Sequence, residues 1–424
     1  MILNIAKFGP IENAKVEFAK FLMFTGDSNL GKSYVNYLMY YSLKSTSVDE
    51  LLPFFSQKLK SKNEVEVSIE SIQKSMENRV ENFMRTFLNA PDIVCEVTFH
   101  LLPDNNNHVY LIKYEEHEIE KEGMPETLYN GRKAVTVTID GKAFPSIFPI
   151  MDNLKALAVA YAFSQKMQND LFGGTIFQSI ILPPARGAFV GENYSIKEKI
   201  SSSVGMYRMF LRDYDESTRM RLIHRRQGDR YKELIERLVN GKLISKEGTQ
   251  YLVLKNGKEL PLSAAASSIK ELSPLLYALQ ANPSARQSFC IEEPEAHLHP
   301  QMQLAVADLL ALCYSDGKLF QFTTHSDYIV QRVNQLIKLH YIKEHDSDIY
   351  KSLCEKYNLS DRHCIDKNDV KVYYFYADES GNVVVEDLPI TEQGIPMVTF
   401  FEVVNKTTEV EDDFNNAIEE IKEK

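Results

Sequence analysis

The spacing of apolar and polar side chains predicts strands at the start of the chain. Residues 2–8 and 14–18 alternate between the two classes, and residues 21–25 form the short apolar run of a buried strand. Apolar positions in the segment 33–43 recur instead at helical spacing. The sequence therefore opens with strands, a glycine-containing loop and a helix.

The next part of the chain changes character twice. Helical spacing dominates residues 45–90 and 150–170. Between residues 92 and 148, β-branched alternation and turn-forming Asn and Gly residues predict an antiparallel β section. A short strand at 179–182 closes this part.

Basic side chains concentrate in residues 196–246. The segment has helical spacing and lies between two strand-bearing parts, so we expect an inserted helical subdomain. Interleaved acids make a solvated face with i,i+4 ion pairs as good an interpretation as a nucleic-acid contact. The basic residues are Lys197, Lys199, Arg208, Arg212, Arg219, Arg221, Arg225, Arg226, Arg230, Lys232, Arg237 and Lys242.

Strands and helices alternate through the last part of the chain. Two short strands flank a hairpin turn at Asn256 and Gly257. The alternation that follows indicates a sheet with right-handed crossovers. The predicted elements are helix 267–280, strand 288–292, helix 300–314, strand 319–323, helix 326–339, a pair of strands within 371–386 and a helical tail from Glu409.

Composition excludes several classes of protein. With 424 residues, 44% of them hydrophobic, the chain has the size of about two to three globular domains. No apolar run reaches the length of about 18 residues that could span a membrane, and the first residues lack the features of a signal peptide. The net charge of −11 argues against a surface coated for DNA, and five cysteines without a C-x-x-C pair suit a reducing compartment. We expect a cytoplasmic protein.

A phosphate-binding loop is the strongest chemical signal. Residues 26–33 fit the pattern G-x-x-x-x-G-K-[ST] and lie between a predicted buried strand and a helix, which is the context that this loop requires. Its N–H groups would bind phosphate oxygens, Lys32 would reach the β- and γ-phosphates, and the Ser33 hydroxyl would bind Mg²⁺. The predicted nucleotide-binding residues are Gly26, Asp27, Ser28, Asn29, Leu30, Gly31, Lys32, Ser33 and Tyr34.

Two adjacent carboxylates end a later apolar strand. Glu292 can hold Mg²⁺ opposite the phosphate loop, and Glu293 can polarise the attacking water. An acidic pair after a strand is by itself more often a solvated loop or a helix cap, but a phosphate loop upstream reverses that balance. A second strand then ends in Thr323, Thr324 and His325, and this histidine can reach a γ-phosphate. Taken alone, this motif favours a helix-capping segment in which the histidine is incidental.

Small residues begin the helix predicted at residue 267. Ala266, Ser267 and Ser268 lie where a helix N-terminus can bind an anion, including a phosphate presented by a second copy. Taken alone, these residues favour an ordinary serine N-cap on an amphipathic helix.

The order of these four features resembles that of ABC-type ATPase heads. The branch it matches includes the SMC-like proteins and the overcoming-lysogenization-defect ATPases, the AAA-15 and AAA-21 families. Residues 292–300 (Glu-Glu-Pro-Glu-Ala-His-Leu-His-Pro) and 323–326 (Thr-Thr-His-Ser) carry the resemblance, together with the phosphate loop and the serine-rich helix start. Residues 7–11 and 182–186 also match the opening and the L-P-A-x-R element of that branch.

The resemblance spans roughly residues 1–45 and 178–400. It implies an α/β P-loop NTPase of the ABC-ATPase type, with an N-terminal β-rich section and an inserted helical subdomain. It also implies that Mg²⁺ accompanies ATP. The predicted domains are 1–195 and 247–400, which form the two parts of the ATPase head, the helical basic insertion 196–246 and the acidic tail 401–424.

The family's functional residues carry over onto matching positions. Glu292 would be the Walker B acid on Mg²⁺, Glu293 the general base and His325 the switch histidine. The Walker A contacts would be Gly26, Gly31, Lys32 and Ser33.

Ala266, Ser267 and Ser268 stand where the family has its signature sequence, which is presented across a dimer to the other copy's γ-phosphate. Two departures follow. Glu292 replaces the usual Asp, although the Glu-Glu-Pro form occurs in this branch. Ser268 replaces the signature glycine, and its side chain would crowd the partner's phosphate, with slow hydrolysis or an altered dimer geometry as the result.

In this family two heads close around ATP, and hydrolysis lets them part. The chain resembles the ATPase subunits of the Septu and PARIS anti-phage systems, which implies a sensor and scaffold controlling a separate nuclease or toxin. Two alternatives stay open. One is an SMC-like or recombination-mediator ATPase that binds DNA in repair, with residues 196–246 as the nucleic-acid contact. The other is an ATP-dependent assembly scaffold with little hydrolysis, which Ser268 favours.

Overall fold

A nine-stranded sheet lies at the centre of the protein in the computed structural model. The structure describes residues 1–59, 62–102, 105, 107–119, 130–190, 203–223, 231–246, 249–281 and 283–422. Strands within these residues are β1 (Ile2–Phe8), β2 (Ile11–Glu17), β3 (Phe21–Gly26), β4 (Glu64–Ser68), β5 (Cys95–His100), β6 (Val109–His117), β7 (Arg132–Ile139), β8 (Lys142–Pro149), β9 (Gln178–Leu182), β10 (Gly241–Lys246), β11 (Thr249–Leu254), β12 (Glu259–Pro261), β13 (Gln287–Glu292), β14 (Leu319–Thr323), β15 (Val370–Ala377) and β16 (Val383–Asp387).

Helices connect these strands along the described part of the chain. They are α1 (Lys32–Lys44), α2 (Val48–Leu59), α3 (Ile69–Leu88), α4 (Leu154–Phe172), α5 (Gly205–Ile223), α6 (Lys232–Val239), α7 (Ser267–Ala281), α8 (Pro300–Ser315), α9 (Asp327–His345), α10 (Ser347–Tyr357) and α11 (Val398–Lys422).

The central sheet has the order β5-β1-β2-β16-β15-β3-β14-β13-β9. Its last five strands in this order, from β15 to β9, run parallel to one another. Every residue of β13 and β14 is buried, as expected for parallel strands covered on both faces. By contrast, β2 pairs antiparallel with β1 and exposes more than half of its residues.

The strand register brings three strand ends to one edge of the sheet. Glu292 at the end of β13 lies opposite Thr323 at the end of β14, and Thr323 lies opposite Phe24 near the end of β3. Helix α1 begins just after β3 and packs across β13 and β14. Ligands of open α/β sheets bind beyond such carboxyl ends, so this edge is where a site is expected.

Two smaller antiparallel sheets flank the centre. One has the order β4-β6-β7-β8 and the other β10-β11-β12. The antiparallel section predicted between residues 92 and 148 is therefore confirmed for β6, β7 and β8. Strand β5 differs, because it pairs with β1 and extends the central sheet.

Three segments differ from the sequence prediction. Glu64–Ser68, predicted as part of a helical stretch, is strand β4, because its alternating Glu and Val residues pair with β6. Gly241–Lys246, predicted as the end of the helical insertion, is strand β10 and pairs with β11. Ser347–Tyr357 forms helix α10, for which no prediction was made.

The remainder of the basic segment is helical where it is described. Helix α5 buries Phe210, Leu211 and Tyr214 and packs against α7 and β9, so its apolar face belongs to the core of the central body. The bounds of the predicted helical subdomain, residues 196–246, stay a prediction. Five basic residues of the segment lie outside the described residues: Lys197, Lys199, Arg225, Arg226 and Arg230.

Helix α11 carries apolar side chains in contact with water. Val410, Phe414, Ile418 and Ile421 are 52%, 63%, 49% and 71% exposed, and we call this set the exposed stripe. Acidic residues occupy much of the remaining surface of the helix. Across the described part of the chain, every helix is too short or too polar to cross a membrane.

Candidate functional site

The predicted phosphate loop joins β3 to α1 at the carboxyl edge of the sheet. Asn29 (φ 64°) and Gly31 (φ 92°) turn the chain through the left-handed region. Gly26 (φ 115°) packs so closely that a Cβ atom there would lie 2.1 Å from the carbonyl oxygen of Phe375. The N–H of Asp27 donates to the same oxygen at 2.9 Å. Strand β15 therefore fixes the start of the loop.

Lys32 opens α1, and its ammonium group folds back onto the loop. The Nζ atom donates to the carbonyl oxygens of Gly26 at 3.0 Å and Asp27 at 2.5 Å. Burial lowers the pKa of Lys32, and the nearby carboxylates of Asp27, Glu293 and Glu292 oppose that change. The ammonium group thus has two neutral acceptors, and an entering phosphate would offer it a stronger, charged one.

Glu292 is the centre of a buried polar cluster. The Ser33 hydroxyl donates to Glu292 Oε2 at 2.5 Å, and the Thr323 hydroxyl donates to the same oxygen at 3.0 Å. The side-chain amide of Asn36 donates to Glu292 Oε1 at 2.8 Å. Burial raises the pKa of Glu292, whereas these three hydrogen bonds oppose the rise. The loop, the acid strand and the strand of Thr323 are therefore joined at one carboxylate.

A cavity of about 360 Å³ opens in front of this cluster. Its lining brings together residues from the phosphate loop and from the ends of β13 and β14. The lining residues are Pro10, Ser28, Asn29, Gly31, Lys32, Ser33, Tyr34, Glu293, Thr323 and His325.

Glu293 faces this cavity from a strained backbone position. Its φ angle of 46° is in the left-handed region, which non-glycine residues adopt at a cost of about 1 kcal/mol or more. Its N–H donates to the carbonyl and hydroxyl oxygens of Thr323, both at 3.2 Å. The side chain is exposed, so it is free to meet water in the cavity.

His325 lies on the same wall and is positioned through its backbone. Its N–H donates to Glu295 Oε1 at 2.7 Å, and the Thr324 hydroxyl donates to that oxygen at 2.8 Å. Burial lowers the pKa of His325, and the positive charge of Lys32 lowers it further. The ring is therefore neutral near pH 7 and can donate one hydrogen bond from a nitrogen.

The other predicted nucleotide-binding residues have different places. Gly26, Asp27 and Leu30 do not line the cavity. Tyr34 does, and it packs against Gly9, where a Cβ atom would lie only 2.2 Å from the Tyr34 ring.

The signature-like residues lie outside the cavity of their own chain. Ala266 and Ser267 are exposed, and Ser268 is half-buried at the beginning of α7. This helix start is accessible to a second copy. Its predicted contact with a partner's phosphate stays a prediction.

Sequence reasoning missed Asn36, which binds Glu292, and Glu295, which binds the backbone of His325, and it noted a third residue without a role. Asn36 lies one helical turn after Lys32 and Ser33, and its apolar surroundings in the sequence gave no signal. Glu295 follows the acidic pair by two residues and is buried, unlike Glu293. Arg186 was noted as part of the L-P-A-x-R match, and the structure buries it beneath the acids.

A protein-family model matches part of the chain. Residues 158–331 match the AAA_21 family model, described as "AAA domain, putative AbiEii toxin, Type IV TA system". The matched segment covers less than half of the chain. It includes both acids and His325 and excludes the phosphate loop. A search of curated proteins finds no match.

Solved structures of SMC heads match at low identity. An SMC head bound to the C-winged helix domain of ScpA is 13% identical with a TM-score of 0.38, covering 92% of this chain and 98% of that chain. The SMC head domain from Thermotoga maritima is 10% identical with a TM-score of 0.32, covering 92% and 98%. An Smc head with an extended coiled coil, bound to a ScpA domain derived from Pyrococcus furiosus, is 11% identical with a TM-score of 0.37, covering 98% of each.

The predicted fold class is confirmed. Strand β3, the phosphate loop and α1 lie beside parallel strands that end in Glu292 and Thr323. This arrangement and the family match identify an α/β P-loop NTPase fold.

Proposed function

We propose that the chain binds ATP with Mg²⁺ in the cavity and hydrolyses it, with Glu293 as the general base. The observation that carries this proposal is the 2.5 Å bond between the Ser33 hydroxyl and the Glu292 carboxylate, which joins the phosphate loop to the acid strand. Lys32, Glu293 and His325 line the same cavity. A loop for phosphates and a pair of acids are the two parts that phosphoryl transfer from ATP requires.

The oxygen atoms in this cluster suit Mg²⁺. A hydroxyl and a carboxylate are hard oxygen ligands, and Mg²⁺ usually takes one or two protein ligands besides phosphates and waters. Ser33 and Glu292 would hold the ion, because the Ser33 hydroxyl and the Glu292 carboxylate already lie 2.5 Å apart at the buried end of the cavity. When bound, Mg²⁺ would neutralise charge on the phosphate oxygens.

The protein side chains have separate tasks in this mechanism. Loop N–H groups and the Lys32 ammonium bind the phosphates and stabilise the charge that develops on them. Glu293 accepts a proton from the attacking water, which it meets at the cavity wall. His325, neutral near pH 7, donates a hydrogen bond towards the γ-phosphate.

We further propose that two copies close around ATP. The exposed start of α7, with Ala266, Ser267 and Ser268, lies outside the cavity of its own chain and would meet the nucleotide of the second copy. A helix N-terminus is suited to that task because it carries free N–H groups and a positive dipole end. Ser268, half-buried at this position, would make hydrolysis slow.

The role that we place first is a sensor and scaffold that controls a separate effector, a nuclease or toxin, in bacterial anti-phage defence. The AAA_21 description, with its putative toxin and toxin–antitoxin system, favours a two-component system of this kind. The acidic helix α11 also offers a surface for a basic partner. Alternatives are an SMC-like ATPase that binds DNA in repair and a scaffold that ATP assembles without turnover.

Hydrolysis and closure are tested with one substitution. Glu293→Gln should reduce ATP turnover by about 100-fold or more while preserving nucleotide binding. With ATP and Mg²⁺ it should also raise the mass measured by light scattering from one chain to two. Lys32→Ala should abolish binding. Turnover by the Glu293→Gln protein at the unaltered rate would contradict the proposal, and an absence of turnover in the unaltered chain would favour the scaffold.

The partner is tested by purifying tagged Glu293→Gln protein together with the products of its neighbouring genes, in ATP and Mg²⁺. A stoichiometric nuclease or toxin in the complex would support the effector role. DNA binding that depends steeply on salt, and that charge reversal of Arg225 and Arg226 abolishes, would favour the DNA-repair role.

A further inference from the structure

Arg186 is the largest fully buried side chain among the described residues, with 1% of its surface exposed. It follows β9 in a short turn and lies beneath the two acids. Burying a guanidinium group is costly unless hydrogen bonds replace its water. Burial accordingly lowers the pKa of Arg186, and four glutamate carboxylates around it oppose that change.

Four backbone carbonyl groups from three separate segments replace that water. Nη1 donates to Pro183 at 3.1 Å and to Glu292 at 2.7 Å, and Nη2 donates to Glu293 at 3.5 Å. Nε donates to the carbonyl oxygen of Glu271 in α7 at 2.8 Å. One guanidinium group therefore joins α7 to the backbone of both acids.

The contact with α7 is tight. The Glu271 carboxylate lies 3.8 Å from Arg186 Nε and is itself buried. A Cβ atom on the adjacent Gly187 would lie 2.8 Å from Glu271 Oε1 and 3.0 Å from its backbone nitrogen. The turn has little room to move independently of α7.

Glu293 is held on both sides of its strained backbone. Arg186 binds the carbonyl oxygens of Glu292 and Glu293, while the N–H of Glu293 donates to Thr323. A residue at φ 46° keeps that conformation only if its surroundings impose it. Since the backbone direction at Glu293 decides where its carboxylate points, Arg186 helps to aim that group into the cavity.

We propose that Arg186 is a positioning residue that couples the start of α7 to Glu293. The proposal rests on the proposed function, in which the start of α7 meets the partner's nucleotide. Glu271 lies four residues beyond Ser267, so a displacement of this helix end would shift the carbonyl group that Arg186 binds. The guanidinium group would pass that shift to the two acids, and Glu293 would be aimed correctly only when the second copy is in place.

The test is a double-mutant cycle between Arg186→Lys and Glu293→Gln. Lysine keeps the charge but lacks the planar fork of donors, so it cannot bind all four carbonyl groups. In the otherwise unaltered chain, Arg186→Lys should lower kcat by about 10- to 100-fold, because Glu293 is misaimed, with the KM for ATP nearly unchanged. In the Glu293→Gln chain, the same substitution should have no further effect on hydrolysis, because the group it positions is gone.

Rates are measured in single turnover with labelled ATP and excess enzyme, which resolves the slow double variant. Arg208→Lys is the matched control. Arg208 also donates to a backbone carbonyl group, that of Ser203 at 2.7 Å, but it does not contact the two acids. This substitution should leave kcat unchanged. Equal slowing by Arg186→Lys in both backgrounds would overturn the proposal, as would an unchanged kcat. If Arg186→Lys fails to fold, Glu271→Ala takes its place in the cycle, because it removes the carboxylate that lies 3.8 Å from Arg186 Nε and keeps the carbonyl group that Nε binds. An unaltered chain without turnover would overturn the proposed function itself, whereas a failed cycle in an active enzyme overturns only the coupling.

Discussion

Replacing Asn36 with leucine tests whether the buried carboxylate of Glu292 depends on its hydrogen bonds. Asn36 is fully buried on α1, and its amide donates to Glu292 Oε1 at 2.8 Å and to the Ile291 carbonyl oxygen at 3.2 Å. It is the one donor described for Glu292 Oε1. Leucine has the same branched shape, with a larger volume, and leaves that oxygen buried without a partner.

The expected loss of stability follows from these contacts. A hydrogen bond to a charged group contributes about 1.5–3 kcal/mol, and one to a neutral carbonyl group contributes about 1 kcal/mol. The Asn36 Oδ1 atom is buried without a partner, so removing it stabilises the folded chain by about 1–2 kcal/mol. The free energy of unfolding should therefore fall by about 2 kcal/mol.

The loss should depend on pH with a definite sign. The pKa of Glu292 is raised in the folded chain, so folding takes up a proton above pH 4.5 and stability falls as the pH rises through the folded pKa. Asn36 opposes that rise. Asn36→Leu should raise the pKa of Glu292 further, and its penalty should be larger at pH 8 than at pH 5.

Chemical denaturation at the two pH values measures this difference. Ser42→Ala is the control, because Ser42 is also buried on α1 but donates only to the carbonyl oxygen of Leu38 at 2.7 Å. Its cost should be the same at both pH values. A penalty for Asn36→Leu below about 0.5 kcal/mol, or one that does not change with pH, would refute the reasoning.

Three further predictions concern other parts of the molecule. Gly9→Ala places a Cβ atom 2.2 Å from the Tyr34 ring, so it should displace that ring and weaken ATP binding by about 10-fold in a titration, whereas Gly257→Ala, with nothing within 4 Å of its Cβ, should leave binding unchanged. Burial raises the pKa of Asp213 to about 7, so the free energy of unfolding should fall as the pH rises from about 4 to 7. Asp213 keeps partial exposure, which reduces the size of this effect. In denaturation experiments Asp213→Asn should therefore raise the free energy of unfolding by only about 1–2 kcal/mol at pH 8 and leave it unchanged at pH 4. Glu293→Gly should abolish turnover yet raise the free energy of unfolding by about 1 kcal/mol, because it relieves the strain at φ 46°; a thermal melt in which Glu293→Gln gains equally would contradict that cause.

The phosphate loop and the acid strand could be predicted because their signals are local. Glycines at fixed spacing, a buried strand before Gly26 and a carboxylate pair after β13 are each visible within a few residues. The parallel order of the strands then brings Lys32 and Glu292 together, although 260 positions separate them in the sequence.

What could not be predicted depends on contacts between distant segments. Asn36 is an ordinary polar residue of α1 until β13 places Glu292 beside it. Arg186 shows no function until α7 and the acids surround it. Strand β4 was missed because five residues between two helices give too short a pattern, and only pairing with β6 makes them a strand.

The exposed stripe on α11 has a consequence for how the protein behaves at high concentration. Five acids within residues 409–419, all exposed, accompany Val410, Phe414 and Ile418 on one helix. At low ionic strength their mutual repulsion keeps two such helices apart. At about 0.1 M salt the range of that repulsion shrinks to about 10 Å, and the apolar side chains can then meet. Higher ionic strength should therefore favour reversible self-association of this protein, whereas the same salt keeps many other proteins apart.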